Sequence, residues 1–221
     1  MPRRSSTIAL SCFAAVAVVD LVAEFAGWQV LALICRVLLM PSLIWLCWTG
    51  AARRNRLVIL VVIALGFCWL GDFAGTTVLL KIGFFLIAQV VYIVAFQPYW
   101  RRSLVDRPRV LIAYVIPLIA VVGLVAASSG SLALPVAVYG ASLAVMAVLA
   151  TGVSRLTGVG GTLFLLSDIV LAVDFFVAPG AIPYAAFVNM ALYLPAQLMI
   201  TLGVLQEVTA EIGDEVVDPI A

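Results

Sequence analysis

Five carboxylates, Asp20, Glu24, Asp72, Asp168 and Asp174, lie within or just at the ends of stretches otherwise written in Leu, Val, Ile, Ala and Phe. A carboxylate in hydrocarbon is costly unless it is paired, protonated or turned toward water, so such residues mark function by default. Two carboxyl groups in different surroundings can divide acid and base work, one holding a proton while the other stays ionised. Asp72 follows Gly71, and Asp168 opens Asp168-Ile169-Val170-Leu171-Ala172 after Ser167. Asp174 stands six residues past Asp168, about 600° of helical rotation, and therefore points about 120° away from it. Asp72 and Asp168 are the candidate pair; Asp20, Glu24 and Asp174 are assigned to the rim of any site.

The other reactive types are scarce. There is no histidine in the chain, which removes the commonest general base and the commonest zinc ligand. Cys12, Cys35, Cys47 and Cys68 all fall in apolar segments, without metal-ligand spacing or a disulfide framework. No cofactor and no metal are expected. Ser167 has no histidine to activate it and no G-x-S-x-G elbow around it, so it reads as a packing or hydrogen-bonding residue.

The elements that must position these acids follow from composition. The chain has 221 residues, 66% of them hydrophobic and 10% charged, with mean hydropathy +1.26 and net charge +1. Soluble domains carry about 25% charged residues. The expected class is an all-α polytopic membrane protein: one transmembrane helical domain over residues 1–221, with an acidic C-terminal tail from about residue 206.

Eight runs approach the ~20 residues that cross a bilayer. They are 8–25, 28–48, 57–73, 78–96, 110–127, 132–150, 158–178 and 181–205. The first follows Arg3-Arg4 and resembles a signal peptide, but it is long and lacks a clean cleavage site, so it reads as a retained span. Turns are expected at Gly27, Gly75-Thr76-Thr77, Ser128-Ser129-Gly130-Ser131 and Pro179-Gly180. Gln206 to Ala221 reads as a short amphipathic or frayed tail.

Charge supports that count. With eight spans, Arg3, Arg4, Arg53, Arg54, Arg56, Arg101, Arg102, Arg107, Arg109 and Arg155 fall on the side of the termini, ten of the twelve Lys and Arg. The positive-inside rule makes that side cytoplasmic. Arg36 and Lys81 are the exceptions. They fall in the opposite half, with Asp20, Glu24, Asp72 and Asp174, while Asp168 sits near the midplane. Opposite charges converging there predict a polar cavity opening away from the cytoplasm. Arg36, Lys81, Gln89, Tyr92, Tyr193 and Gln197 are the candidate substrate-binding residues. The same polar residues would also serve as hydrogen-bonded links between helices. Short basic loops explained by topology give no support to nucleic-acid binding.

Several of these segments carry a resemblance. Gly160-Gly161-Thr162-Leu163-Phe164-Leu165-Leu166-Ser167-Asp168-Ile169-Val170-Leu171-Ala172, with Phe175, resembles the most characteristic motif of the YhhN/TMEM86 family of lysoplasmalogenase-like integral membrane proteins. Gly71-Asp72, the stretch 84–96 with Ala88-Gln89 and Tyr92, and Tyr193 with Ala196-Gln197 and Leu198-Met199-Ile200 resemble other family segments, in family order. The chain departs at Met40, where a lysine precedes the proline in the family, and at Gln89, where many members have histidine.

The resemblance implies eight helices and cleavage of the vinyl ether bond of a lysoplasmalogen or a related ether lipid. The implied partner is a membrane lipid substrate within the lipid bilayer. The implied location is a bacterial cytoplasmic (inner) membrane. Asp72 and Asp168 would then be general acid and ion-stabilising base, in an order the sequence leaves open. The rival classes are a transporter for a small or lipid-like solute, with the acids as proton relays, and a non-catalytic lipid-binding protein. Oligomeric state is not encoded in any feature of the chain.

Overall fold

A computed structural model describes residues 4–73 and 77–217. Arg3, Gly75 and Thr76 of the expected turn, and Asp218 of the acidic tail lie outside the described residues. Eight long helices follow one another: α1 (Arg4–Ala26), α2 (Gln29–Gly50), α3 (Arg56–Phe73), α4 (Val78–Phe96), α5 (Pro108–Ser128), α6 (Ala133–Val153), α7 (Arg155–Ala172) and α8 (Ala185–Val217). Each is long and apolar enough to cross a membrane. The protein is an all-α polytopic bundle.

The helices end where their sequences tell them to. After α1, Trp28 N donates to Ala23 O at 2.8 Å and Gly27 N to Glu24 O at 3.3 Å, which closes the last turn before α2 starts. Thr77 caps α4 by accepting from Leu80 N, and Ser154 caps α7 by accepting from Thr157 N. The backbone runs helically through Pro41, Pro117 and Pro195.

α7 packs most extensively on α8 and lies against α6 on its other side. The Gly160-Gly161 pair makes this possible. A Cβ at Gly160 would stand 2.7 Å from Ala196 O, and one at Gly161 would stand 2.9 Å from Ala150 Cβ. Small residues let membrane helices approach closely where no water is available to drive them together. The core combines Leu39, Leu43, Val61, Leu65, Phe96, Met146, Phe164 and Ile200, all buried. α5 is the exception to this packing, with only Leu118 and Val125 buried.

Two segments depart from the sequence expectation. Beyond Ala172, α7 loosens into a π-helical turn, Val173–Val177, in which Ala178 N reaches back five residues to Val173 O at 2.9 Å. Past Leu205, α8 does not fray. It is 33 residues long, about 50 Å at 1.5 Å per residue, so its last turns outrun a hydrocarbon core of about 30 Å. Those turns dock: Arg102 donates to Glu207 at 2.6 Å, while Tyr99 and Asn55 donate to Glu211 at 2.6 and 3.1 Å. Glu207 and Glu211 of the expected tail are thus tied to the turn that follows α4 and to the residue that precedes α3.

Candidate functional site

Away from that docked end, the bundle holds a partly open cavity of about 520 Å³. Its wall includes Asp72 from α3, Asp168 from α7, Arg36 from α2, Lys81 from α4 and Tyr193 from α8. Five residues singled out in five separate spans therefore share one space. Apolar and aromatic side chains, among them Phe85, Phe175 and Met190, form much of the remaining wall. A largely apolar cavity with a few convergent polar groups is the usual form of a small-molecule site.

Each aspartate is held by a tyrosine from another helix. Tyr193 donates its hydroxyl proton to Asp72 Oδ2 at 3.0 Å. Tyr139, on α6, donates to Asp168 Oδ2. Ser167 donates its single proton to Phe164 O at 2.7 Å, so its 3.4 Å contact with Asp168 Oδ1 is weak. Both aspartates are partly buried residues that line the cavity. Their electrical surroundings differ. Arg36 and Lys81 act on Asp72, whereas hydroxyl groups are the close influences on Asp168.

Local sequence explains the placement of Asp72. A Cβ at Gly71 would stand 2.6 Å from Phe85 Cε2. The bare backbone of Gly71 admits the Phe85 ring, which in turn packs edge-on to Phe164 and Tyr193, with centroids 6.2 and 6.0 Å away. The Gly-Asp dipeptide thus brings together an acid and the aromatic cluster that fixes its tyrosine partner. Phe175 and Phe176 reach the cavity wall from the π-helical turn. Such turns are frequent at functional sites because they re-aim side chains that a regular helix would direct elsewhere.

The remaining predicted residues lie outside the cavity wall. Glu24 accepts from Arg36 Nη2, one step behind the site. Asp20 has no exposed surface, and neither carboxyl oxygen has a hydrogen-bond partner among the described residues. Asp174 accepts from Ile182 N at 3.4 Å, which holds the loop before α8. Tyr92 donates to Gln197 at 2.9 Å, and Gln197 faces Cys68 at 3.6 Å. These two residues form a buried link between α4, α8 and α3. Gln89 is fully buried, and both its amide atoms lack a hydrogen-bond partner among the described residues.

Three polar wall residues, Thr77, Tyr139 and Asn189, are not among the site candidates of the sequence. Tyr139 is one polar-tipped aromatic in an otherwise apolar span, and nothing local distinguishes it. Asn189, which donates to Ser167 O at 2.9 Å, left a usable signal. Asn189, Tyr193 and Gln197 recur every four residues, so they share one face of α8.

The fold and cavity define a polytopic α-helical membrane protein in which two acids of the apolar spans, Asp72 and Asp168, line one cavity. A model of the YhhN family matches residues 31–204, and the chain belongs to that family. Among curated proteins, the rat protein named lysoplasmalogenase TMEM86B is 42% identical over 76 residues, covering 34% of this chain and 32% of that protein. The human protein of the same name is 48% identical over 75 residues, covering 33% and 31%. The chain thus aligns with about a third of the length of each curated relative. No solved structure matches.

Proposed function

We propose that the protein is a lysoplasmalogenase-like hydrolase that cleaves the vinyl ether bond of a lysoplasmalogen or a related single-chain ether lipid. The observation that carries this reading is the presence of Asp72 and Asp168 on the wall of one cavity, each held by its own tyrosine. The curated relatives named lysoplasmalogenase give the reaction class.

Vinyl ether hydrolysis starts with protonation of the alkene carbon remote from oxygen. The resulting oxocarbenium ion adds water, and the hemiacetal collapses to an aldehyde and an alcohol. The chemistry needs a proton donor, an anion near the cation and a positioned water. The surroundings of the two acids support a division of labour. Asp168, among hydroxyl groups, donates the proton to carbon. Asp72, beside Arg36 and Lys81, serves as the anion that faces the oxocarbenium ion and accepts a proton from the entering water. When the hemiacetal C–O bond breaks, the hemiacetal hydroxyl gives up its proton to become the aldehyde carbonyl, and the departing glycerol oxygen takes up a proton in its place. The proton gained at Asp72 balances the one lost from Asp168 and returns through the cavity solvent. Arg36 and Lys81 hold the phosphate, with Arg36 kept in place by Glu24. In this reading the basic end of the bundle is cytoplasmic and the cavity lies toward the opposite face.

The test is aldehyde release from a lysoplasmalogen by the purified protein in bilayers, without an ion gradient. Asp168→Asn removes the donor and is expected to lower turnover by about 1,000-fold, within the range for general acid catalysis. Asp72→Asn should also lower it, with both variants retaining the wild-type melting profile. Wild-type turnover in both variants would falsify the pair. Uptake of lipid without any aldehyde would favour transport.

A further inference from the structure

A second, smaller space adjoins the cavity at Asp168. It measures about 50 Å³ and shares Val136, Tyr139, Asp168 and Ala172 with the larger wall. Its other side runs between α5 and the α6–α7 pair, past Val121, Val122, Val125, Leu143, Leu165 and Ile169. Every one of those six is aliphatic. The two sides of Asp168 therefore differ in kind. Arg36 and Lys81 stand on the wall of the main cavity, contributed by α2 and α4. The slot on the other side offers only hydrocarbon beyond Tyr139 and Asp168.

We propose that this slot takes the hydrocarbon chain of a single-chain phospholipid whose phosphate lies at Arg36 and Lys81, and that the chain enters sideways under α5, between it and the α6–α7 pair. The inference rests on the proposed function for the identity of the lipid, and on the slot itself for the path. Charge complementarity fixes the head at the cationic wall, which leaves the aliphatic slot for the chain. The bond next to the head group then falls beside Asp168, where the two spaces meet.

Size supports sideways entry. A volume of about 50 Å³ exceeds the ~30 Å³ share of one liquid water but falls well short of a long alkyl chain. A full chain must part the walls. α5 is the wall that can yield: its buried residues are Leu118 and Val125, while Ile112, Ile116, Ile119 and Leu124 are exposed on it. Few buried contacts are the physical mark of an element that opens at low cost.

The experiment uses the full chain in lipid nanodiscs with a lysophosphatidylethanolamine carrying a diazirine midway along its chain. Ultraviolet labelling is followed by peptide mapping. Label is expected on the α5 segment containing Val121 and Val125 and on the α6 segment containing Leu143. Val125→Phe should abolish that labelling. Val121→Phe gives a second block at a position only partly buried, where a larger side chain need not disturb the core. Label concentrated on α1, α2 or α8, label spread evenly over all helices, no label at all, or slot labelling unchanged in both variants would overturn the chain path. The readout needs no turnover. Slot labelling without aldehyde release retains the chain path and rejects the hydrolase. Aldehyde release with label elsewhere does the reverse.

Discussion

The two ends of this bundle treat polar residues in opposite ways. At the end that carries the termini, Asn55, Tyr99, Arg102, Glu207 and Glu211 bond to one another, and Leu104 N is satisfied by Thr151. These polar groups connect helices. In the opposite half, Asp72 and Asp168 are each held by a tyrosine and line the cavity, and among the described residues neither Arg36 Nε nor either oxygen of Asp20 has a hydrogen-bond partner. A group bonded only to the protein has no capacity left for a substrate. A group that keeps a free face beside a cavity does. Both ends are rich in charge, and it is the incompleteness of one of them that marks a site.

The sharpest way to break the comparison is to remove the hydroxyls that hold the acids. Tyr139→Phe and Tyr193→Phe leave ring packing intact and delete one hydrogen bond each. On the proposed reading, turnover falls by about 100-fold in Tyr139→Phe, because Asp168 loses the contact that fixes its direction. Tyr193→Phe should cost somewhat less, since Arg36 and Lys81 still act on Asp72. Melting temperature should move little in either. Assays of aldehyde release beside thermal melts separate the outcomes. A large loss of stability with unchanged turnover would make these tyrosines part of the scaffold, like the polar groups at the other end.

The converse test sits at the docked end. Arg102→Ala leaves Glu207, whose side chain is 9% exposed, without its partner. Removing one member of a buried ion pair costs about 3–5 kcal/mol, but Arg102 is 62% exposed and water screens much of its charge. A destabilisation of about 1–2 kcal/mol is expected, with turnover per folded molecule unchanged. Reduced turnover in the folded fraction would mean that this end communicates with the cavity.

How much of this was legible in the sequence follows the same division. The eight spans were readable because a bilayer imposes a length and a composition on anything that crosses it. Asp72 and Asp168 were readable because each breaks an apolar run next to a small residue, and Arg36 and Lys81 because they break the charge asymmetry. The docking of Glu207 and Glu211 was not readable. Their partners come from the α2–α3 connection and from the turns after α4, so no local pattern joins them, and acids beyond a span look like a tail. The π-helical turn was equally hidden: Val173–Val177 has no period of its own, and its apolar residues continue the preceding span. Tyr139 became meaningful only when α6 was placed against α7. Tyr92 and Gln197 were noticed for their polarity, yet they bond to each other. Polarity within a span marks a candidate, and only its partner decides between site and scaffold.

Asp20 is the residue on which the comparison is finest. It is fully buried, without a hydrogen-bond partner at either oxygen among the described residues, and one helical turn from Glu24, which holds Arg36. As a scaffold residue it makes little sense, because a buried carboxylate without a hydrogen bond is a net cost. On the proposed reading its negative charge adds to the field around Arg36, and that contribution is what the next substitution tests. Asp20→Asn removes the charge and keeps the shape. Stability should rise by about 1 kcal/mol, because the amide is cheaper to bury than the carboxylate even though it too lacks partners. Affinity for the lipid should change by only a fewfold, because Glu24 still holds Arg36. A thermal melt paired with the KM for the lipid reads both quantities. If stability rises while KM is unchanged, Asp20 stands outside the working site. If stability rises and KM shifts, the cost of burying Asp20 is offset by its influence on Arg36, and the incomplete half of the bundle extends one helix beyond the cavity wall.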